Sequence, residues 1–264
     1  MEPTFSLDSL IQFVADHAYQ ENIVSENESR TNLEQNLVGI YDLQEIVSPT
    51  GESFIQPLSA GCGLRLTTDG YILTAYHVIE TAHRVILGEN REPGRPNYVG
   101  IQDQQRYISP LDPSFLVIDR EHDVALIKTY CPEVGEPIPF NINWDELRLF
   151  QQLISVRFDH NSGKSEQSSG RILKRTKSVH PINDEQKNIT DLFVTSAPVY
   201  QGNSGGIFID DRGSLAGTIS CARFPKNRTT GEYYLSYGAK IEYGLRLIGM
   251  TLGAILDIGL GEQS

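Results

Sequence analysis

Residues 201–206 read Gln-Gly-Asn-Ser-Gly-Gly and run directly into Ile207-Phe208-Ile209. Glycines crowded around one serine, with a short apolar run behind them, call for a sharp turn that feeds a buried strand. Glycine permits such a turn because positive φ carries no Cβ penalty. A serine hydroxyl is a poor nucleophile at its own pKa and needs a neighbouring base. A carbonyl under attack also needs backbone N–H groups aimed at the developing oxyanion. The motif therefore asks for partners elsewhere in the chain.

Two upstream segments supply them. Tyr71-Ile72-Leu73-Thr74-Ala75-Tyr76-His77-Val78-Ile79 carries a histidine at the end of a strand-like apolar run, and Glu121-His122-Asp123-Val124-Ala125-Leu126-Ile127 carries an aspartate at the start of another. In the order His, Asp, Ser these segments resemble the trypsin/chymotrypsin-like serine protease superfamily. Subtilisins and α/β-hydrolases use other orders. The local wording is most similar to the HtrA/Deg-like branch. The run from Gly61 through Cys62 and Gly63 to Thr74 resembles that branch's strand–turn–strand entry to the histidine, and Gly-Asn-Ser-Gly-Gly is a form typical of it. The resemblance covers roughly residues 35–260.

It implies a serine endopeptidase with Ser204 as nucleophile, His77 as general base and acid, and Asp123 as the carboxylate that orients the imidazole. Asp119 and Glu121 are the rival acids; Asp123 is preferred because Val-Ala-Leu-Ile follows it directly. Backbone N–H groups of Gly202 and Ser204 would form the oxyanion hole. Leu215–Ala222 resembles the strand that pairs with bound substrate, with Ser220, Cys221 and Ala222 offering backbone hydrogen bonds to an extended peptide. Pro198, Val199, Ala222 and residues near Gly238 would line the primary specificity pocket. Trypsins place an aspartate where Pro198 falls, so a small to medium apolar residue is the expected preference. Asn203 stands where secreted digestive enzymes carry the aspartate that receives a freed N-terminal amine. An amide cannot form that ion pair, so activation by N-terminal trimming is not expected.

Two other functions use the same residues: a module that binds extended peptides with an idle triad, and a serine esterase or acyltransferase. Intact His, Asp and Ser weigh against the first, and the peptide-docking strand against the second.

The formal charge of −12 argues against a general nucleic-acid or anionic-membrane binder. The partner it leaves is a protein or peptide substrate, with the oligomeric state open. Cys62, Cys131 and Cys221 are odd in number and widely spaced, and suggest neither a disulfide framework nor a metal motif. Cys62 and Cys221 read as small hydrophobes on core strands. His17, His83, His122, His160 and His180 show no ligand spacing and read as surface or packing residues. No metal and no cofactor is expected. The start, Met1-Glu2-Pro3-Thr4-Phe5, lacks a basic flank and a long apolar run, and no stretch reaches the ~18 apolar residues of a membrane span. The expectation is a reduced, cytoplasmic or otherwise signal-less protein; export by a dedicated machine would leave the same sequence.

The patterning predicts an all-β chain of two six-stranded antiparallel β-barrels, chymotrypsin-like, with a short N-terminal helix and a C-terminal helix. Strands are expected at 37–46, 62–67, 71–75, 84–88, 97–101, 115–118 and 124–128, then at 152–158, 169–175, 191–196, 206–210, 214–221 and 233–241. Residues 1–35 read as an extension: an amphipathic helix over 6–18, with Leu7, Leu10, Ile11, Val14 and Ala18 on one stripe, then a polar linker over 20–35. It is a strap on the barrel surface or a regulatory arm. The protease domain is expected over 36–264, with the first barrel at about 36–135, the second at about 145–242 and a closing helix at about 243–260. That length leaves no room for the PDZ domains that many HtrA proteins carry. The Ser-, Lys- and Arg-rich residues 161–178 read as a solvated loop face, or as a patch that steers an acidic substrate segment.

Overall fold

The computed structural model describes residues 11–13, 24–67, 70–80, 97–102, 108–129, 140–143, 146–179, 189–200, 202–223 and 235–250. Its strands are β1 (Leu37–Val47), β2 (Ser53–Arg65), β3 (Tyr71–Thr74), β4 (Asn97–Gln102), β5 (Ile108–Asp119) and β6 (Val124–Thr129), followed by β7 (Gln152–Asp159), β8 (Lys164–Val179), β9 (Ile189–Thr195), β10 (Ile207–Asp210), β11 (Leu215–Arg223) and β12 (Leu235–Lys240). The first six close into one antiparallel barrel in the order β1-β2-β3-β6-β5-β4. The last six close into a second with the same winding, β7-β8-β9-β12-β11-β10. This is the two-barrel architecture expected from the turn spacing. The strand expected at 84–88 lies outside the described residues.

Strands here are apolar at successive positions because both of their faces are covered. In β3, Ile72 points into the first barrel with Ile40 and Ile127. Its neighbours Tyr71 and Leu73 point the other way, into the seam between the barrels. β6 alternates likewise: Ala125 and Ile127 inward, Val124 and Leu126 to the seam. From the second barrel, Ile207 and Ile209 of β10 join the seam while Phe208 faces inward against Phe193. One continuous core thus glues the two barrels, and Tyr243, Leu247 and Ile248 of the helical residues 241–250 pack onto it. Deleting a buried leucine such as Leu73 from this seam costs about 2–5 kcal/mol.

Three elements differ from expectation. The supposed linker over 20–35 contains a helix, α1 (Glu26–Gln35). Ser25 caps it by accepting from Glu28 N, and Glu26 and Glu28 complement the dipole of its first turn. Its buried face is Ser29, Asn32 and a single leucine, Leu33, too few apolar positions to show a helical period: Ser29 donates to Gly213 O at 2.7 Å and accepts from Asn141 N at 2.8 Å. Of the helix expected over 6–18, residues 11–13 are described and helical. There Phe13 is buried against Phe140, whereas Ile11 is 49% exposed. The basic run 161–178 is mostly strand β8 rather than loop, its long hairpin with β7 pairing Asp159 with Lys164 through Gln152 with Arg171. The closing helix begins at 241; the part expected beyond 250 lies outside the described residues. Among the described residues no helix is long and apolar enough to cross a membrane.

Candidate active site

The end of β3 and the start of β6 are neighbours because Thr74 pairs with Ala125. Beyond that pair the chain bends into helical residues 76–80 on one side and the turn residue Asp123 on the other. Asp123 takes φ +57°, a left-handed conformation that aspartate tolerates better than most residues. The bend is clamped twice. Tyr76 N donates to Asp123 O at 3.1 Å, and His77 N donates to Asp123 Oδ1 at 3.0 Å. The second carboxylate oxygen, Oδ2, lies 2.8 Å from His77 Nδ1. A carboxylate only accepts, so Nδ1 carries the proton in this pair. Asp123 is 1% exposed, whereas the His77 side chain is 40% exposed. The imidazole faces solvent and its carboxylate partner does not.

Ser220 joins this pair from the second barrel. Along β11, Ile219 pairs with Gly238 and Cys221 with Tyr237, so Ser220 is an extra residue in a bulge. Bulges re-aim side chains. Here the Ser220 hydroxyl donates to Asp123 Oδ2 at 2.5 Å, and its carbonyl accepts from Ser204 Oγ at 3.3 Å. One buried residue therefore ties the carboxylate of the first barrel to the serine of the second.

Ser204 sits between Gly202 (φ +89°) and Gly205 (φ +80°). The turn is held by Asn203 N to Tyr200 O at 3.0 Å, Gly206 N to Asn203 O at 2.9 Å and Gly205 N to Ile219 O at 2.7 Å. Cys62 N reaches across the seam to Ser204 O at 2.7 Å. A Cβ on Gly205 would overlap Cys62 O, which fixes glycine there. Gly61 is wedged between the residue after His77 and the serine: a Cβ on it would lie 2.5 Å from Val78 Cγ1 and 3.1 Å from Ser204 O. The N–H groups of Gly202 and Ser204 have no acceptor among the described residues.

The structure thus brings His77, Asp123, Ser220, Gly202 and Ser204 to one seam. Asp119 pairs instead with His122, at 2.7 Å from its Nδ1, and Glu121 is exposed. Pro198 is half-buried, its carbonyl accepting from Ser155 Oγ at 3.2 Å. Val199, expected to line a specificity pocket, is 2% exposed in the second-barrel core beside Phe193 and Phe208. Gly238 turns the same way, since a Cβ on it would run into the Phe193 ring. Cys221 and Ala222 continue β11, opposite Tyr237 and Ser236 of β12. His17, His83 and His180 lie outside the described residues.

Sequence reading missed three neighbours of the serine turn. Arg157 Nη1 donates to Asn203 Oδ1 at 3.4 Å, its guanidinium lies over the Tyr200 ring at 4.8 Å, and it pairs with Glu166. Asn203 Oδ1 also accepts from Tyr200 N. The other two, Cys62 and His160, converge on Gly202 O. No motif joins these residues; only barrel closure does.

Comparison with known proteins agrees with this fold. Residues 61–217 match the trypsin-like peptidase domain. Protease Do-like 1, chloroplastic, of Arabidopsis thaliana is 25% identical over 186 residues, which covers 66% of this chain and 36% of that protein's length. The chain therefore spans well under half of this curated relative. A crystal structure of Deg5 is similar in fold, with a TM-score of 0.57 at 19% identity, covering 84% of this chain and 94% of the other.

Proposed function

This chain belongs to the trypsin-like peptidase family, and from that premise we propose that it is a serine endopeptidase working through Ser204, His77 and Asp123. His77 Nε2 takes the proton as Ser204 Oγ attacks a peptide carbonyl, then delivers it to the leaving amine. The N–H groups of Gly202 and Ser204 receive the oxyanion of the tetrahedral intermediate. The acyl-enzyme is released by water, which His77 deprotonates in turn. Asp123 orients the ring and stabilises the imidazolium. An extended substrate adds to the backbone of β11 at Ser220–Ala222. A small to medium apolar side chain enters the pocket beside Pro198, which stands where trypsins place an aspartate.

The observation that carries this reading is the carboxylate of Asp123, which holds the His77 ring at 2.8 Å while bound to the same Ser220 that accepts from Ser204. The unengaged N–H groups of Gly202 and Ser204 favour catalysis over passive peptide capture, because a binding module has no use for them.

The test is fluorophosphonate labelling together with digestion of a proteome-derived peptide library and a matched ester panel, for wild type and Ser204→Ala side by side. Wild type is expected to label stoichiometrically and to cut peptides, and Ser204→Ala to do neither. Equal labelling of the two removes Ser204 from the reaction. Ester turnover without peptide cleavage moves the chain to the esterases.

A further inference from the structure

Gly202 O sits between two side-chain donors. Cys62 Sγ of β2, in the first barrel, is 3.2 Å away, and His160 Nε2, in the turn after β7, is 3.4 Å away. Both are placed by the fold rather than by chance approach. Cys62 is fixed at every polar atom: its N–H is on Ser204 O at 2.7 Å, its carbonyl accepts from Thr74 Oγ1 at 2.7 Å, and its sulfur accepts from Phe158 N at 3.3 Å. Full burial pushes the thiol up to about 12, so the sulfur keeps its hydrogen and can donate it. The His160 ring lies edge-on to Tyr41 at 4.8 Å and to Phe158 at 5.6 Å. A Cβ on Gly39 would come within 3.0 Å of its Nδ1, so only glycine there leaves room for the ring. A carbonyl accepts only, so Nε2 bears the proton; Nδ1 is buried without a hydrogen-bond partner.

The peptide plane that carries this carbonyl has its other end pinned too, because Asn203 N donates to Tyr200 O at 3.0 Å. Glycine at 202 makes the pinning consequential. Its backbone can rotate to either sign of φ at little cost. A rotation that swung the Gly202 carbonyl out of the barrel seam would forfeit both donors and disturb the turn that presents the N–H groups of Gly202 and Ser204.

We propose that Cys62 and His160 are positioning residues for the oxyanion hole: together they hold the Gly202 carbonyl in the seam and so keep the two N–H groups turned to the cleft. The proposal rests on the peptidase reading of Ser204. Neither side chain touches substrate, so their contribution belongs to the acylation rate and not to ground-state binding.

The test compares wild type with Cys62→Ala and His160→Phe, which remove one donor each, and with Cys62→Ser and His160→Gln, which keep one. The double variant, Cys62→Ala with His160→Phe, completes the set. Steady-state kinetics on a cleavable peptide are read alongside two affinities. One is for a peptide boronate, which forms the tetrahedral adduct on Ser204. The other is for the uncleaved peptide, measured in the Ser204→Ala background. The donor-less single variants are expected to lose about three- to tenfold in kcat and the double variant more, with KM within about twofold. Boronate affinity should fall in step while peptide affinity holds, and Cys62→Ser and His160→Gln should recover most of the loss. Unchanged kcat in the double variant overturns the proposal. So does a loss that the donor-keeping variants share in full, or one that falls equally on boronate and peptide. Should Cys62→Ala not fold, the His160→Phe and His160→Gln pair decides alone. Failure of wild type itself to label or cleave strikes the peptidase reading instead, so the two failures are distinct.

Discussion

His122 lies flat on Tyr243, ring on ring, with centroids 3.6 Å apart and planes 14° from parallel. The pair couples the residue before Asp123 to the helical residues 241–250. Each ring is held in place: His122 N and Nδ1 bind the two oxygens of Asp119 at 3.1 and 2.7 Å, and the Tyr243 hydroxyl binds Asp191, which also holds Lys240 at 2.6 Å. The first clamp has the geometry of His77 on Asp123, one turn earlier in the same barrel end. Tyr243→Ala removes the stacked face and is expected to cost about 1.5–3 kcal/mol of stability through lost burial and aromatic contact. Urea unfolding measures it; Tyr243→Phe, which keeps the ring, should retain most of that stability.

Ser220 binds an ionised carboxylate through its hydroxyl and the serine turn through its carbonyl. Ser220→Ala leaves the carbonyl and deletes the charged hydrogen bond, a loss of about 1.5–3 kcal/mol in how firmly Asp123 is held. A fall in kcat of about tenfold or more is expected with KM little changed. Steady-state kinetics on the peptide substrate read both constants.

Gly205 combines a left-handed backbone at φ +80° with contact against Cys62 O. Gly205→Ala meets both obstacles. The conformation alone costs on the order of 1–3 kcal/mol, and the overlap with a backbone atom cannot be relieved by a rotamer change. The turn should be displaced, with labelling of Ser204 by fluorophosphonate reduced at least tenfold in rate and the melting temperature lowered.

Burial brings the His160 pKa below its ordinary 6.5, against the opposing pull of the Gly202 carbonyl and the neighbouring Asp159. The faces it meets are otherwise the Tyr41 and Phe158 rings. The unfolded chain therefore takes up a proton at this histidine at a higher pH than the folded chain does. Below about pH 6.5 the unfolded state binds more protons, so stability falls with falling pH until the folded-state pKa is passed. His160→Gln has no proton to take up. Urea midpoints measured at about pH 8 and about pH 5 should drop less between the two in the variant than in wild type.

Much of the site was legible because its residues announce themselves locally. Gly202-Asn203-Ser204-Gly205-Gly206 needs its glycines for φ and for close approach, and a run such as Ile207-Phe208-Ile209 is apolar throughout because its strand is covered on both faces. Preferring Asp123 over Asp119 rested on the apolar run after it, and the same run is β6, which carries Asp123 to the end of β3. What stayed hidden depends on pairs far apart in the chain. Helix α1 buries Ser29 and Asn32 beside one leucine, Leu33, rather than an apolar stripe, so its pattern reads as linker. Strand β8, expected only at 169–175, runs over Lys164–Val179, and its first residues are held by their ladder with β7. Nothing local in the sequence shows that Val199 is buried in the second-barrel core. Cys62 and His160 meet Gly202 across 140 and 42 residues of sequence, and neither separation leaves a pattern to read.

The hydroxyl of Ser29, fully enclosed, closes hydrogen bonds to a glycine 184 residues downstream and to an asparagine 112 residues downstream. A ribosome making this chain delivers α1 early and the turn it docks on very late. Until that turn emerges, Ser29 has no Gly213 carbonyl to donate to, and an isolated ten-residue helix is marginal in water. The helix is therefore among the last of the described elements to settle, because its anchor at Gly213 is made 184 residues after Ser29.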